Sequence, residues 1–156
     1  KLNAKPSLVD TMVREFVRYQ TPVIHTRRTA SRDAVLAVYK IRVGDKIFMW
    51  YFGANRDEPV IGDPDRFCIN REIPCKHLSF GAEINRCLVD RLVNLLLSIL
   101  LEDILKRDLD NEAQGPPERI KSNFIRGIKK LLVRIAALRQ NLFDEGAPSA
   151  QLSLYG

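Results

Sequence analysis

His77-Leu78-Ser79-Phe80-Gly81-Ala82-Glu83-Ile84-Asn85-Arg86-Cys87 runs directly into an apolar block at Leu92–Leu101. The block predicts a helix from Leu88 to about Arg107. Leu92, Val93, Leu95, Leu96, Leu97, Ile99, Leu100 and Leu101 cover nearly every side of it, so it should be buried in something sizeable. Cys87 then falls at the helix N-terminus, where unsatisfied amides and the dipole favour an anion. A thiolate in that place has a lowered pKa, and Arg86 beside it adds positive charge. A single cysteine is more often an inert buried thiol, so position alone does not assign a role.

Upstream, Ser7 and Asp10 read as a capping box opening a helix over 8–19. Leu8, Val9, Met12, Val13, Phe16 and Val17 recur at helical spacing, and Pro22 ends the pattern. Glu15 and Arg18, three residues apart, share one side of that helix. Val23–Arg28 reads as a strand. Tyr39, Ile41 and Val43 alternate, Gly44-Asp45 supplies a turn, and the apolar run Ile47–Tyr51 completes a hairpin with a buried second strand. Residues 52–79 hold no lasting period, and so long a loop is often functional. Gly115-Pro116-Pro117 breaks the chain. Leu131, Leu132, Ile135, Leu138 and Leu142 fit a helix by spacing, and Leu131–Ile135 also fits a strand. Residues 144–156 read as a mobile tail after a single domain over 1–143.

The length of 156 residues suits one domain, and 46% apolar with 28% charged residues excludes a disordered chain. No stretch approaches the ~20 apolar residues of a spanning helix, and Lys1–Pro6 shows no secretory core. Cys68, Cys75 and Cys87 are odd in number with no tight pair, which points to a reducing, cytoplasmic compartment. With His25 and His77 they form no zinc spacing. The net charge of +6 and the basic residues of 119–139 would suit phosphate contacts in a basic binding module. No aromatic interleaving or nucleic-acid motif accompanies them, so no nucleic acid is expected.

Four short patterns stand in a fixed order: Glu15-Phe16-Val17-Arg18, Ala54-Asn55-Arg56-Asp57, Asp63-Pro64-Asp65-Arg66-Phe67, and the stretch from His77 to Cys87 with Phe80 seven residues before the sulfur. Each alone is weak; together they resemble the C-terminal part of a cytochrome P-450, a haem-thiolate monooxygenase, over about Met12–Ile135. The likeness is nearest to actinobacterial hydroxylases of sterols and methyl-branched lipids, through Thr21–Ala30 and Ser122–Lys129. It implies an α+β fold, mainly α with small β-sheets, with 131–135 a strand. It also implies b-type haem whose iron takes Cys87 as axial ligand. Phe80 shields the sulfur, and Arg28 pairs with a haem propionate. Glu15, Arg18 and Arg66 form a structural ion-pair triad. Val23, Ile24 and Phe124 line a pocket for a lipid or sterol-like substrate. A ferredoxin or flavoprotein would dock near Lys76, Arg86 and Arg91.

Departures from that pattern are specific. Glu83 stands where the family has glycine, Asn85 where a basic residue reaches a propionate, and Val89 where a second glycine is expected. Ala37 and Val38 replace a glycine turn, and Asn94 and Leu96 replace charged residues. A complete family member is well over twice this length and carries an oxygen-activating acid–alcohol pair on a long central helix. The chain is therefore expected to be a fragment with little turnover, or a non-catalytic remnant of a decayed gene.

Overall fold

The computed structural model describes residues 8–71, 77–107 and 109–137. Helix α1 spans Val9–Gln20 and buries Val9, Val13 and Val17, the only fully buried apolar residues among those described. Leu8 occupies its N-cap without a side-chain bond, and the expected cap Ser7 lies outside the described residues. Thr21 ends α1 in the left-handed region at φ 42°, its N–H returning to the Val17 carbonyl. That closing turn delivers the chain to Pro22.

Strand β1 (His25–Thr29) pairs antiparallel with β4 (Lys46–Trp50), His25 opposite Trp50 and Thr29 opposite Lys46. Between them β2 (Ala34–Leu36) and β3 (Tyr39–Ile41) form their own two-stranded ladder. The hairpin expected across Gly44-Asp45 is therefore not formed. The Ala30 N–H bonds the Asp45 carbonyl and the Gly44 N–H bonds the Ala30 carbonyl, each at 2.9 Å. These bonds close the turn onto the end of β1 and send the next strand back along β1 instead of β3. Nor is β4 buried along its length: Ile47 and Met49 are half-buried, whereas Phe48 and Trp50 are 55% and 54% exposed.

The long irregular segment holds two single-turn helices, α2 (Tyr51–Ala54) and α3 (Glu58–Ile61). A 3-10 turn at Glu83–Asn85 precedes α4 (Asp90–Lys106), which packs against α1. Beyond it, β5 (Leu109–Ala113) pairs with β8 (Val133–Ala137), and β6 (Glu118–Arg119) with β7 (Ile128–Lys130). Residues 133–137 are thus strand, and helical spacing through Leu131–Ile135 is coincidental. The described residues form helices with four small two-stranded sheets, the α+β class expected.

Burial of α4 differs from its apolar composition. Leu92, Leu95, Leu96, Ile99 and Leu100 are 52–57% exposed, and Asp90 is its one buried residue. The α1 face covers only part of a helix that is apolar nearly all round.

Candidate functional site: the cysteine loop and its supports

The loop from His77 to Val89 is tied to α1 through Asn55 and the Val17 carbonyl, next to the buried ion pair of that helix. Arg18 donates from Nε and Nη2 to the two Glu15 oxygens, both at 2.8 Å, with 0% and 1% of the side chains exposed. The helical spacing that put these residues on one side makes this bidentate pairing possible. Burial raises the Glu15 pKa, but bonds from Arg18, the Cys68 N–H and Arg71 outweigh it and leave the carboxyl below its ordinary value. Arg18 also reaches the carbonyls of Asn55 and Pro64.

The third member of this group is Arg71, not Arg66. Arg71 Nε stands 3.2 Å from both Glu15 oxygens, and its other nitrogens reach the carbonyls of Ile61, Gly62, Asp63 and Arg66. The Arg66 side chain is 73% exposed, near Asp63 at 3.9 Å, and only its carbonyl enters the network. Two arginines five residues apart in an irregular segment are equivalent to a sequence reading. The turn at Asp63, φ 45°, helps decide which one points inward.

A second buried group lies beside the first. Asn55 Nδ2 donates to Thr21 Oγ1 at 3.0 Å and to Ser79 Oγ at 2.8 Å, and Asn55 Oδ1 accepts the Leu78 N–H at 2.7 Å. Thr21 Oγ1 in turn donates to the Arg18 carbonyl, and Ser79 Oγ to the Val17 carbonyl. Motif reading named Asn55 only as part of a pattern. Its signal was its residue type, since a fully buried asparagine needs partners for both ends of its amide.

Cys87 is a free, half-buried thiol. Its N–H bonds the Phe80 carbonyl at 2.8 Å, folding the loop back on itself, and its carbonyl accepts the Asp90 N–H that opens α4. It therefore lies just ahead of the helix, whose N-cap is Val89. Arg86 is ion-paired with Asp90, so part of the positive charge expected beside the sulfur is spent. That bond holds the Asp90 carboxyl below its usual range. Half-buried Phe80 packs edge-on to His77 at 5.7 Å. Burial, helped by Arg86, Arg14 and Arg18, pushes the His77 pKa down to about 4.

Two residues of the loop are left-handed, Gly81 at φ 74° and Glu83 at φ 50°. A Cβ on Gly81 would stand 3.0 Å from the Asn85 carbonyl oxygen, so glycine is required there. Glu83 adopts with a side chain the conformation for which glycine was expected, as does Ala37 at φ 53°. Ile84 and Leu88 flank the cysteine at 97% and 98% exposed. A cavity of about 340 Å³ opens between Met49, Trp50, Tyr51 and the loop residues Leu78, Gly81, Ala82 and Asn85.

The expected pocket residues do meet. Val23 bridges to Ile125, and the Ile24 N–H bonds the Phe124 carbonyl at 2.9 Å. Sequence reading missed the aromatic wall beside them. His25 stacks on Trp50 at 5.3 Å and 7°, with Phe48 and Phe124 against its edges. The correct β1–β4 register would have revealed it. Arg28 is exposed, its Nη1 on the Arg27 carbonyl, with no carboxylate partner among the described residues. Arg91 is exposed on α4, while Lys76 lies outside the described residues.

A Glu–Arg–Arg group thus lies beside a glycine-turned loop that presents one thiol ahead of a helix. The chain belongs to the cytochrome P450 family, whose model matches residues 4–133. It is 37% identical over 132 residues to linalool 8-monooxygenase of Pseudomonas putida, covering 85% of this chain and 32% of that protein. It is 38% identical over 127 residues to the methyl-branched lipid omega-hydroxylase of Mycobacterium bovis, covering 81% and 29%. The solved cytochrome P450-153 of Novosphingobium aromaticivorans superposes with a TM-score of 0.82 at 41% identity, over 86% of this chain and 34% of that one. The chain thus spans about a third of the length of these relatives.

The residues present fit a haem on its cysteine side. The half-buried Cys87 thiol is available as a soft ligand, whereas the Cys68 thiol is turned to the Asn70 side chain. Ile84 and Leu88 offer uncovered apolar surface beside it, and Arg28 is a cation without an acidic partner among the described residues. Among those residues no cluster of His, Cys, Asp or Glu offers a competing metal site, and no helix is long and apolar enough to cross a membrane.

Proposed function

We propose that this chain is the cysteine-bearing part of a haem-thiolate monooxygenase that inserts one atom of O2 into a hydrophobic substrate. The free Cys87 thiol, anchored by its N–H to Phe80 and flanked by uncovered apolar side chains, carries the reading. Bound haem would supply oxygen activation, which a thiolate ligand favours by donating electron density. Cys87 would hold the iron as the thiolate. Phe80 would help to keep water from the sulfur. Arg28 offers its planar guanidinium to a propionate.

Val23, Ile24 and Phe124, with the wall of His25, Phe48 and Trp50, present an apolar and aromatic surface to the substrate. That surface suits a lipid, sterol or terpenoid and offers no cation for a strongly anionic one beyond the arginines of β1. The acidic electron donor, a ferredoxin or flavoprotein, would approach Arg86 and Arg91. Free Cys68 and Cys87 suit a reducing cytoplasm.

Haem reconstitution followed by a carbon-monoxide difference spectrum tests the assignment. A red-shifted, thiolate-type Soret band that Cys87→Ser abolishes is the expected result. Uptake of haem with no such band would overturn it.

Glu83 favours a second reading, a non-catalytic family remnant. A non-glycine residue at φ 50° on this loop costs about 1 kcal/mol and places a carboxylate-bearing residue four positions before Cys87. Thiolate-type haem binding without oxidation of any apolar substrate, electrons being supplied chemically, would support it.

A further inference from the structure

Every hydrogen bond that ties the stretch from His77 to Val89 to earlier parts of the chain, among the described residues, runs through Leu78 or Ser79. There are three: Leu78 N–H to Asn55 Oδ1 at 2.7 Å, Asn55 Nδ2 to Ser79 Oγ at 2.8 Å, and Ser79 Oγ to the Val17 carbonyl at 2.9 Å. Asn55 makes two of them. The remaining bonds of the loop are internal or run forward into α4, the internal ones including Gly81 N–H to Leu78 O and Cys87 N–H to Phe80 O. One step along the backbone separates the Ser79 anchor from Phe80, and one hydrogen bond separates Phe80 from Cys87.

We propose that Asn55 is a positioning residue for the Cys87 sulfur, acting through Leu78, Ser79 and Phe80; this rests on the haem-thiolate reading above. Asn55 is fully buried, and so is Thr21, which fixes its amide from the α1 side. Both amide hydrogens and the amide oxygen are engaged, so the side chain has one orientation that satisfies its neighbours. Arg18 holds the Asn55 carbonyl at 2.9 Å, which ties the same residue to the buried ion pair. A rigid helix, a locked amide and a short loop thus form a continuous support from α1 to the sulfur. Polar supports of this kind act by orienting the ligand they do not touch.

The test has two readouts on the full chain. In the haem-free protein, alkylation of Cys87 by iodoacetamide is followed by peptide mass spectrometry, with Cys68 as internal reference. Asn55→Ala should speed Cys87 alkylation about tenfold or more, because it removes two of the three bonds that anchor the loop and makes loop opening easier, and leave the Cys68 rate within about twofold. Asn55→Asp, which keeps an acceptor for Leu78, should restore most of the protection. Thr21→Val, which loses a bond on the α1 side only, should alter it by less than about threefold.

In the haem-loaded protein, Asn55→Ala should convert the thiolate-type carbon-monoxide band to the shorter-wavelength band of a lost or protonated thiolate, and Asn55→Asp should retain it. Ser79→Ala, which removes two of the three bonds and keeps Leu78 N–H on Asn55, serves where Asn55→Ala does not fold. Equal Cys87 alkylation rates in wild type and in folded Asn55→Ala, or in folded Ser79→Ala where that variant is used, overturn the proposal. A wild type with no thiolate-type band overturns the haem reading instead, and the alkylation contrast still decides the positioning role.

Discussion

Arg71 lies with its Nε 3.2 Å from both carboxylate oxygens of Glu15, fifty-six residues away in the chain. Glu15 is 1% exposed and already bidentate to Arg18. Removing Arg71 leaves a buried carboxylate with part of its compensation gone, and takes the arginine partner from the carbonyls of Ile61, Gly62 and Asp63. Breaking a buried pair costs about 3–5 kcal/mol, while exposed pairs contribute about 0–1. Arg71→Ala should therefore lower unfolding free energy in urea by several kcal/mol. Arg66→Ala should change it by less than about 0.5 kcal/mol. Equal losses would mean that Arg66 also serves the core.

His77 sets the acid sensitivity. Its folded pKa of about 4 lies below the ordinary 6.5, through burial and the charges of Arg86, Arg14 and Arg18. Between those values the unfolded chain binds a proton that the folded chain refuses. Stability therefore falls as pH drops from 6.5 toward 4, by up to about 3 kcal/mol. Glu15, held below its usual value, contributes stability above 4.5 that is lost only on further acidification. His77→Gln should flatten the stability profile between pH 6.5 and 4 and leave the steeper loss below it. An unchanged profile in that window would show that other groups govern it.

Glu83 carries a removable strain. Its φ of 50° is one that glycine adopts freely. Glu83→Gly should raise the thermal midpoint, corresponding to about 1 kcal/mol, and should take up haem more tightly if the carboxylate opposes the thiolate. Ala37→Gly, at φ 53° in the turn between β2 and β3, offers a comparison far from the cysteine loop. A gain at Ala37 with none at Glu83 would point to compensation within the loop.

Gly53 reports on the aromatic wall. A Cβ there would stand 2.7 Å from Trp50 Cδ1, inside contact distance. Trp50 is half exposed and can turn away, so Gly53→Ala should cost only about 1 kcal/mol. Trp50 is the one tryptophan of the chain, and turning it breaks the stack on His25. The emission spectrum should shift while far-UV dichroism stays constant. Unaltered emission would mean that the ring accommodates alanine where it stands.

The sequence by itself determined the family, helix α1 with Glu15 and Arg18 on one side, and the loop that delivers Cys87 to α4. These are local facts, written in spacing along a few turns of chain. The position of Thr21 and Pro22 at the end of α1 was legible for the same reason. The strand at 133–137 was ambiguous in periodicity, because a short apolar run fits either element, and the family likeness resolved it.

Only the tertiary structure decided what depends on distant partners. It chose Arg71 over Arg66, because an irregular segment has no period that reports which way a side chain faces. It paired β4 with β1 in place of β3, because the Ala30 bonds to Gly44 and Asp45 span a separation that local turn chemistry does not encode. It left the α4 leucines half exposed, because burial depends on what lies across from a helix. And it joined Asn55 to Ser79, two residues whose shared role rests on a 2.8 Å approach in a site closed to water.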